Sequence, residues 1–387
     1  MHCVPSGYAK CSRVLGDRRS FYLQKNGACI QRHDHLISTS FFIYFEIRNT
    51  MNTIFVLPSY TSDSVSLIAY QYVQALVQRG HEVGITSIRR SALQKGPEFF
   101  YVSIFHIFKC NTLVTNLFLP DLLGFLISHI HPRIKWVAFL HCDVIGGLAA
   151  EAKPFAKVKA WLWRLVLSRA ESVISPSHYA LKRLSKLNNI TIIQHCINPV
   201  VERWFRANAL INASKPKRTD YPHSAVRQPS YVFIGRDTRA KRLFVLFDLL
   251  RADPNCRVKV IGTIAHSSSR VAQLSQEERA RCTFYGYQSD PYQFLDSKDT
   301  VICPSGREGF GLIPVECFAR DIAVAVINEG VFKELYGNSS IAYFRISDLQ
   351  EKIPNLTQSM QILKAKYVGE DALSKRVDQL VVVLFKR

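Results

Sequence analysis

From residue 51 onward the chain alternates short apolar runs with longer stretches whose apolar positions recur at helical spacing. MNTIFVLPSY opens on a buried-strand pattern over 53–57, closed by Pro58. Residues 65–79 carry apolar side chains at helical spacing and stop at Gly80, where a C-cap belongs. Further strands are predicted over 81–87, 135–140, 172–175 and 191–194, and helices over 155–169 and 178–187. Residues 206–230 break the alternation. They are polar and rich in Pro, Ser, Lys and Arg, and read as a linker. The pattern then restarts with strands over 231–234, 258–261, 282–285, 300–303 and 323–327. Helices are predicted over 241–250 and 291–295, from the turn after 303 through 319, and over 372–385. Strand and helix in this order predict an α/β fold of two Rossmann-like, doubly wound domains, 51–205 and 231–370, joined by that linker. The last helix, 371–387, is expected to pack back on the first domain. At 387 residues the chain exceeds what one ordinary core holds.

Residues 1–50 show neither period. They read as an irregular extension ahead of a natural start at Met51, and the His33-Asp34-His35 triplet inside them as loop rather than metal site. No secretory pattern opens the chain. Its greasiest stretch, 113–130, is interrupted by Pro120 and Asp121, which argues against a spanning helix. The ten cysteines stand singly with no Cys-x-x-Cys pair, as expected of reduced thiols in the cytoplasm. Sequons at Asn189, Asn212, Asn338 and Asn355 carry no weight in that compartment. Lys plus Arg exceed Asp plus Glu by 50 − 30 = 20, which points to an anionic partner.

Chemistry concentrates at two predicted strand ends in the second half. Gly235-Arg236 follows strand 231–234, with Lys241 five residues beyond the arginine; the glycine permits a close turn and the two cations suit a diphosphate. PSGREGFGLIPVECFA follows strand 300–303. There Gly306, Gly309 and Gly311 permit tight turning, and backbone amides of Phe310 to Leu312 open a helix whose dipole favours an anion. Glu308 and Glu316, eight residues apart, span at most roughly 12 Å at helical rise. That is a reach suited to paired hydroxyls at the two ends of a sugar nucleotide. No Asp-x-Asp occurs, so a metal-bridged diphosphate has no candidate and no cofactor is expected beyond the nucleotide-sugar substrate. His129-Ile-His131 reads as a loop.

These motifs resemble retaining glycosyltransferases of family 4, which have the GT-B fold. Glu308-Gly-Phe-Gly-Leu…Glu316 resembles the family's E-x7-E signature, and Gly235-Arg236-x4-Lys241 its Gly-Arg-x4-Lys segment. RGHEV closing at Val83, the 172–198 stretch, and Gly330 with Glu334 after strand 323–327 also resemble family segments in the right order, covering most of 51–342. The resemblance implies transfer of a hexose from a nucleotide donor to a glycan or lipid-linked acceptor hydroxyl, with retained anomeric configuration and without metal. It implies that the first domain takes the acceptor and that Gly235, Arg236 and Lys241 hold the donor diphosphate. Glu308 would contact the sugar and Glu316 the ribose, while Gly309, Phe310, Gly311 and Leu312 form the cradle. His141, after strand 135–140, stands where relatives place a histidine facing the donor sugar. Two departures stand out: Pro58-Ser-Tyr-Thr-Ser-Asp63 replaces a Gly-Gly turn, and Arg242 replaces the glycine after the lysine.

Two other readings share these features in part. A GT-B epimerase or non-catalytic binder would use the same donor clamp, and the charge alone would suit nucleic acid. No basic–aromatic module of the nucleic-acid type occurs, however, so no nucleic-acid partner is expected. The charge fits a cytoplasmic enzyme at the inner face of an anionic membrane, and residues 153–169 are basic and aromatic at a spacing that suits either an interfacial helix or a core helix with a basic outer face.

Overall fold

The apolar runs lie side by side as parallel strands. The computed structural model describes residues 20–25, 28–33, 51–59, 64–89, 103–141, 143, 155–182, 184, 187, 189–210, 230–264, 269–288, 290–296, 298–343, 345–352 and 356–385. The chain divides into two compact units, Met1–Asn49 and Thr50–Arg387. In the first, strands β1 (Ser20–Lys25) and β2 (Ala28–His33) pair antiparallel, Ser20 opposite His33 and Lys25 opposite Ala28. This corrects the expectation of an irregular extension. Backbone pairing here occurs without apolar alternation, the signal on which a strand prediction rests. Asp34 and His35 of the histidine triplet lie outside the described residues.

In the second unit, strands β3 (Thr53–Ser59), β4 (Val83–Arg89), β5 (Thr112–Asn116), β6 (Lys135–Phe139), β7 (Ser172–Ser175) and β8 (Ile190–Ile192) form one parallel sheet, ordered β4-β3-β5-β6-β7-β8. Strands β9 (Ser230–Ile234), β10 (Arg257–Ile261), β11 (Cys282–Gly286), β12 (Asp299–Cys303), β13 (Ala323–Ile327) and β14 (Ala342–Tyr343) form another, ordered β11-β10-β9-β12-β13-β14. Both central strands β5 and β12 are buried along their whole length, as strands covered on both faces must be. In each sheet the strand order reverses beside the first strand, between β3 and β5 and between β9 and β12. Those two switch points open crevices at the carboxyl ends of the strands.

The helices used below are α1 (Ser64–Gln78), α2 (Phe118–Ile130), α3 (Ala156–Leu167), α4 (His178–Leu181), α5 (Pro199–Leu210), α6 (Phe244–Ala252), α7 (Leu312–Ala319), α8 (Gly330–Tyr336), α9 (Leu356–Tyr367) and α10 (Glu370–Phe385). Leu373, Val377, Leu380 and Leu384 of α10 are buried in one core with Phe55, Tyr72, Val114 and Phe139 of the first domain. Each such side chain contributes about 1.5–3 kcal/mol on leaving water. Helix α5 runs to Leu210, into the stretch expected to be linker; residues 211–229 lie outside the described set.

Strand β5 and helix α2 were not predicted, because TLVTN and FLPDLLGFLISHI merge into one apolar stretch with no change of period to divide it. Pro120 does not break α2. It sits in the first turn, where an amide has no helical partner to lose. His129 lies in the last turn of α2, with Nδ1 2.7 Å from the Phe125 carbonyl, which corrects the loop reading.

Asp121 of α2 is fully buried and joins three elements. It accepts hydrogen bonds from Thr115 Oγ1 of β5 and from Trp163 Nε1 of α3, both at 2.7 Å, while Trp136 Nε1 of β6 donates to Thr115 Oγ1 at 2.8 Å. All three donors are neutral, so burial dominates and pushes the Asp121 carboxyl up to about 7, the Thr115 and Trp163 hydrogen bonds opposing it. The folded state therefore holds a proton that the unfolded chain releases from about pH 4 upward. Stability should fall by about 1.4 kcal/mol per pH unit between pH 4 and 7 from this group alone. Urea unfolding across pH 4–8 is expected to show Asp121→Asn lacking that decline; parallel curves for the two proteins would refute the assignment.

Candidate active site

The switch point of the second sheet brings the two predicted strand-end motifs together. The turn after β9 begins at Gly235, whose φ of +149° suits glycine. The turn after neighbouring β12 ends at Gly311, with φ +78°. A Cβ there would stand 2.3 Å from the Phe332 ring. Gly311 is also the N-cap of α7 and supplies no side-chain cap, and the first turn of α7 holds no acid. Its opening amides are thus not occupied by a capping side chain, the condition under which a helix N-terminus receives an anion.

Across this corner Lys241 and Glu308 form an ion pair, both partly buried. Arg236 is exposed and has no hydrogen-bond or ion-pair partner among the described residues. Gly309 and Phe310 are buried, and Leu312 opens α7. Glu316, one turn further, is buried with different partners. It accepts from the Tyr292 hydroxyl, and the Arg320 guanidinium lies 4.2 Å over the Tyr292 ring. Arg320 in turn pairs with Glu202 of α5 at 2.9 Å. Helix α6 begins at Phe244, three residues later than predicted, so Lys241 lies in a turn rather than in a first helical turn. Arg242 takes the left-handed conformation, φ +53°, at the position where the family's glycine was expected. Its guanidinium pairs with Glu329 at 2.8 Å.

His141 lies just past β6. Its Nε2 is 2.7 Å from Asn116 Oδ1, and Asn116 Nδ2 donates to the Val56 carbonyl at 3.1 Å. With that amide so oriented, Nε2 carries the proton and Nδ1 is the acceptor nitrogen. The His141 ring stacks on Phe139 at 4.8 Å and on His195 at 5.2 Å. The Phe310 ring meets His195 edge-on at 5.3 Å and Tyr367 at 5.7 Å. A column of rings therefore runs from the end of β6 to the turn after β12. His195 is buried and neither ring nitrogen has a hydrogen-bond partner among the described residues. Burial lowers its pKa well below the ordinary value, helped by His141 and Arg376. Burial likewise lowers His141 to about 3, although one edge of that residue stays open.

Three further contacts join the corner of the first sheet to this turn. Ser177 Oγ donates to the Gly309 carbonyl at 2.6 Å. The Glu334 carboxylate accepts from the His178 and Tyr179 amides at 2.9 and 2.7 Å, and the Tyr179 hydroxyl lies 3.4 Å from the Gly306 carbonyl. Tyr292, Asn116, His195, Ser177 and Glu329 were not singled out from sequence. Each acts through a partner distant along the chain, for which no local pattern exists. The turn at 58–63 is described only as far as Ser59. No group of three or more His, Cys, Asp or Glu side chains gathers among the described residues.

Several solved structures share this fold. Sucrose-phosphate synthase from Thermosynechococcus elongatus superposes with a TM-score of 0.63 at 17% identity, covering 86% of this chain and 99% of that one. HepE of Anabaena, in complex with UDP and glucose, gives 0.65 at 14% identity over 87% and 100%. A UDP-forming α,α-trehalose-phosphate synthase from Burkholderia xenovorans gives 0.57 at 10% identity over 87% and 99%. No curated protein matches at the sequence level. The model of the glycosyl transferases group 1 family matches residues 220–358, the stretch that carries Gly235 to Lys241 and Glu308 to Glu316. The chain thus has the GT-B fold, and its residues 220–358 match the glycosyl transferases group 1 family.

Proposed function

We propose that the protein is a retaining, family 4 glycosyltransferase. It moves a hexose from a nucleoside-diphosphate donor to a hydroxyl of a glycan or glycolipid during cell-surface polysaccharide or lipopolysaccharide synthesis. The observation that carries this reading is the junction of the uncapped α7 N-terminus with the Lys241–Glu308 pair and exposed Arg236 at the β9/β12 switch point. Arg236, Lys241 and the α7 amides stabilise the leaving diphosphate, so that no metal is required. Glu308, already held by Lys241, accepts from sugar hydroxyls, and Glu316, set by Tyr292, accepts from the ribose. Neutral His141 offers Nδ1 to a hydroxyl of the donor sugar. Substitution at the anomeric carbon passes through an oxocarbenium-like state, and the departing phosphate takes the acceptor proton on the same face. A lipid-linked acceptor would be met at the cytoplasmic face of an anionic membrane.

HepE was solved with UDP and glucose, which makes UDP-glucose the first donor to try. In a thermal-shift screen of nucleotide sugars, one donor is expected to raise the midpoint by several degrees, with Glu316→Ala losing most of the rise. A donor that stabilises both proteins equally would remove Glu316 from the ribose. Label from the donor that epimerises or stays bound without reaching an acceptor would replace transfer by epimerisation or simple binding.

A further inference from the structure

The first domain carries a surface that the donor clamp does not use. Helix α3 buries Trp163, Val166 and Leu167 against the sheet, yet Phe155, Val158, Trp161 and Leu165 stand exposed on its other side, Phe155 at 81% and Trp161 at 63%. Spaced by three and four residues, Val158, Trp161 and Leu165 form one stripe about 10 Å long, and Phe155, the left-handed N-cap, stands exposed at the start of the helix. Lys157 and Arg164 flank the stripe along one edge and Lys159 and Arg169 along the other. None of the four has an acidic partner among the described residues; Lys159 Nζ lies 4.8 Å over the Phe118 ring. Helix α3 contains no acid at all.

Its neighbour α2 repeats the pattern. Phe118 meets Trp163 edge-on at 5.3 Å, and Asp121, the one acid of α2, is buried beneath Trp163. Leu119, Leu126 and Ile130 are exposed at a spacing of seven and four, again one stripe, with Ile130 at 68%. Both helices start from the carboxyl ends of their strands, β5 and β6, the end that also carries Asn116 and His141.

We infer that the paired exposed stripes of α2 and α3 are the seat of an anionic lipid bilayer surface, into which Trp161 and Phe155 insert at headgroup depth. Unpaired cations bordering an apolar stripe with tryptophan at its middle fit the interfacial region of a bilayer and the charge of its phosphate layer. A protein partner fits less well, since the cores of protein interfaces are depleted in lysine. The inference gives the membrane-facing part of the proposed function a specific surface and rests on it. A lipid-linked acceptor would then reach His141 along the cleft-side ends of the same two helices.

Co-sedimentation with vesicles of phosphatidylcholine containing about 30 mol % phosphatidylglycerol tests it. The full chain is expected to bind at about 0.05 M salt and to release at about 0.5 M. Trp161→Glu should weaken binding about tenfold or more, and Lys157→Glu with Arg164→Glu should abolish it at low salt. The thermal shift given by the donor should be unchanged in both variants, which also shows that they fold. Equal binding to pure phosphatidylcholine, or no binding by the unaltered chain, would overturn the inference while leaving the donor reading intact. A concentration-dependent dimer that Trp161→Glu dissolves, without vesicle binding, would assign the surface to a second copy and overturn it as well. Loss of the donor shift in the unaltered chain would instead defeat the transferase reading and leave the surface standing on its own vesicle result.

Discussion

Glu308→Gln is expected to lower kcat/KM for sugar transfer by about 10²–10³-fold, and Lys241→Ala by a similar factor. The reasoning rests on the ion pair itself. Neutralising Glu308 removes an acceptor for the sugar and also frees the Lys241 ammonium to swing from the place where charge develops on the diphosphate. Removing Lys241 leaves Glu308 beside the same anion without a counter-charge. Because each substitution breaks the same contact, the double variant should lose little more than the worse single one, the mark of groups that act together. The pair is partly open to solvent, so its loss should cost no more than about 1 kcal/mol of stability. A kcat/KM within about threefold of the unaltered enzyme would remove the pair from the transition state, and losses that multiply in the double variant would show two groups acting independently.

The second large effect is acid instability centred on His141 and His195. Both are held neutral by burial, with folded pKa values below the ordinary imidazole range. The sign follows from proton uptake. Below about pH 6.5 the unfolded chain takes up a proton at each ring that the folded chain refuses, so stability is present above that pH and is lost as pH falls. Each ring contributes a slope of about 1.4 kcal/mol per pH unit while it stays neutral. His195, with no partner for either nitrogen, should retain that slope to lower pH than His141, whose edge is open. His195→Phe keeps a ring in the column and removes one titration. Its unfolding free energy is expected to decline less steeply than that of the unaltered chain from pH 6.5 to 4, by about 1.4 kcal/mol per pH unit. Should that variant fail to fold, NMR titration of the imidazole nitrogens in the unaltered chain decides the matter, since a His195 that protonates near pH 6 contradicts the burial argument.

Much of the fold was legible because its signals are local. An apolar run of five residues, a glycine at a turn and a helical spacing each lie within a short window, and most strands of both parallel sheets follow from such windows, β5 and β14 excepted. The same holds for the two strand-end motifs, where Gly235, Lys241, Glu308 and Gly311 stand in strings that imply a turn. What escaped detection depends on neighbours far along the chain. Asn116 fixes the His141 tautomer from 25 residues away, and Tyr292 reaches Glu316 from 24. His195 has no local pattern at all; only the folded column shows it under His141. Arg242 carries the opposite lesson. A residue type that departs from the family pattern was visible in sequence, but its left-handed backbone and its Glu329 partner were not.

The return of α10 to the first domain has a mechanical consequence. Where α9 gives way to α10, Val368 forms a parallel bridge with Ile197; the Ile197 amide donates to the Tyr367 carbonyl at 2.9 Å, and the Gly369 amide to the Ile197 carbonyl at 2.9 Å. The chain that leaves the second sheet is thus stitched to the chain that leaves the first. A swing of one sheet against the other that keeps these backbone bonds would have to turn near the stitch, as a door turns on its pin, and would be opposed by the Ser177–Gly309 and Glu334 contacts.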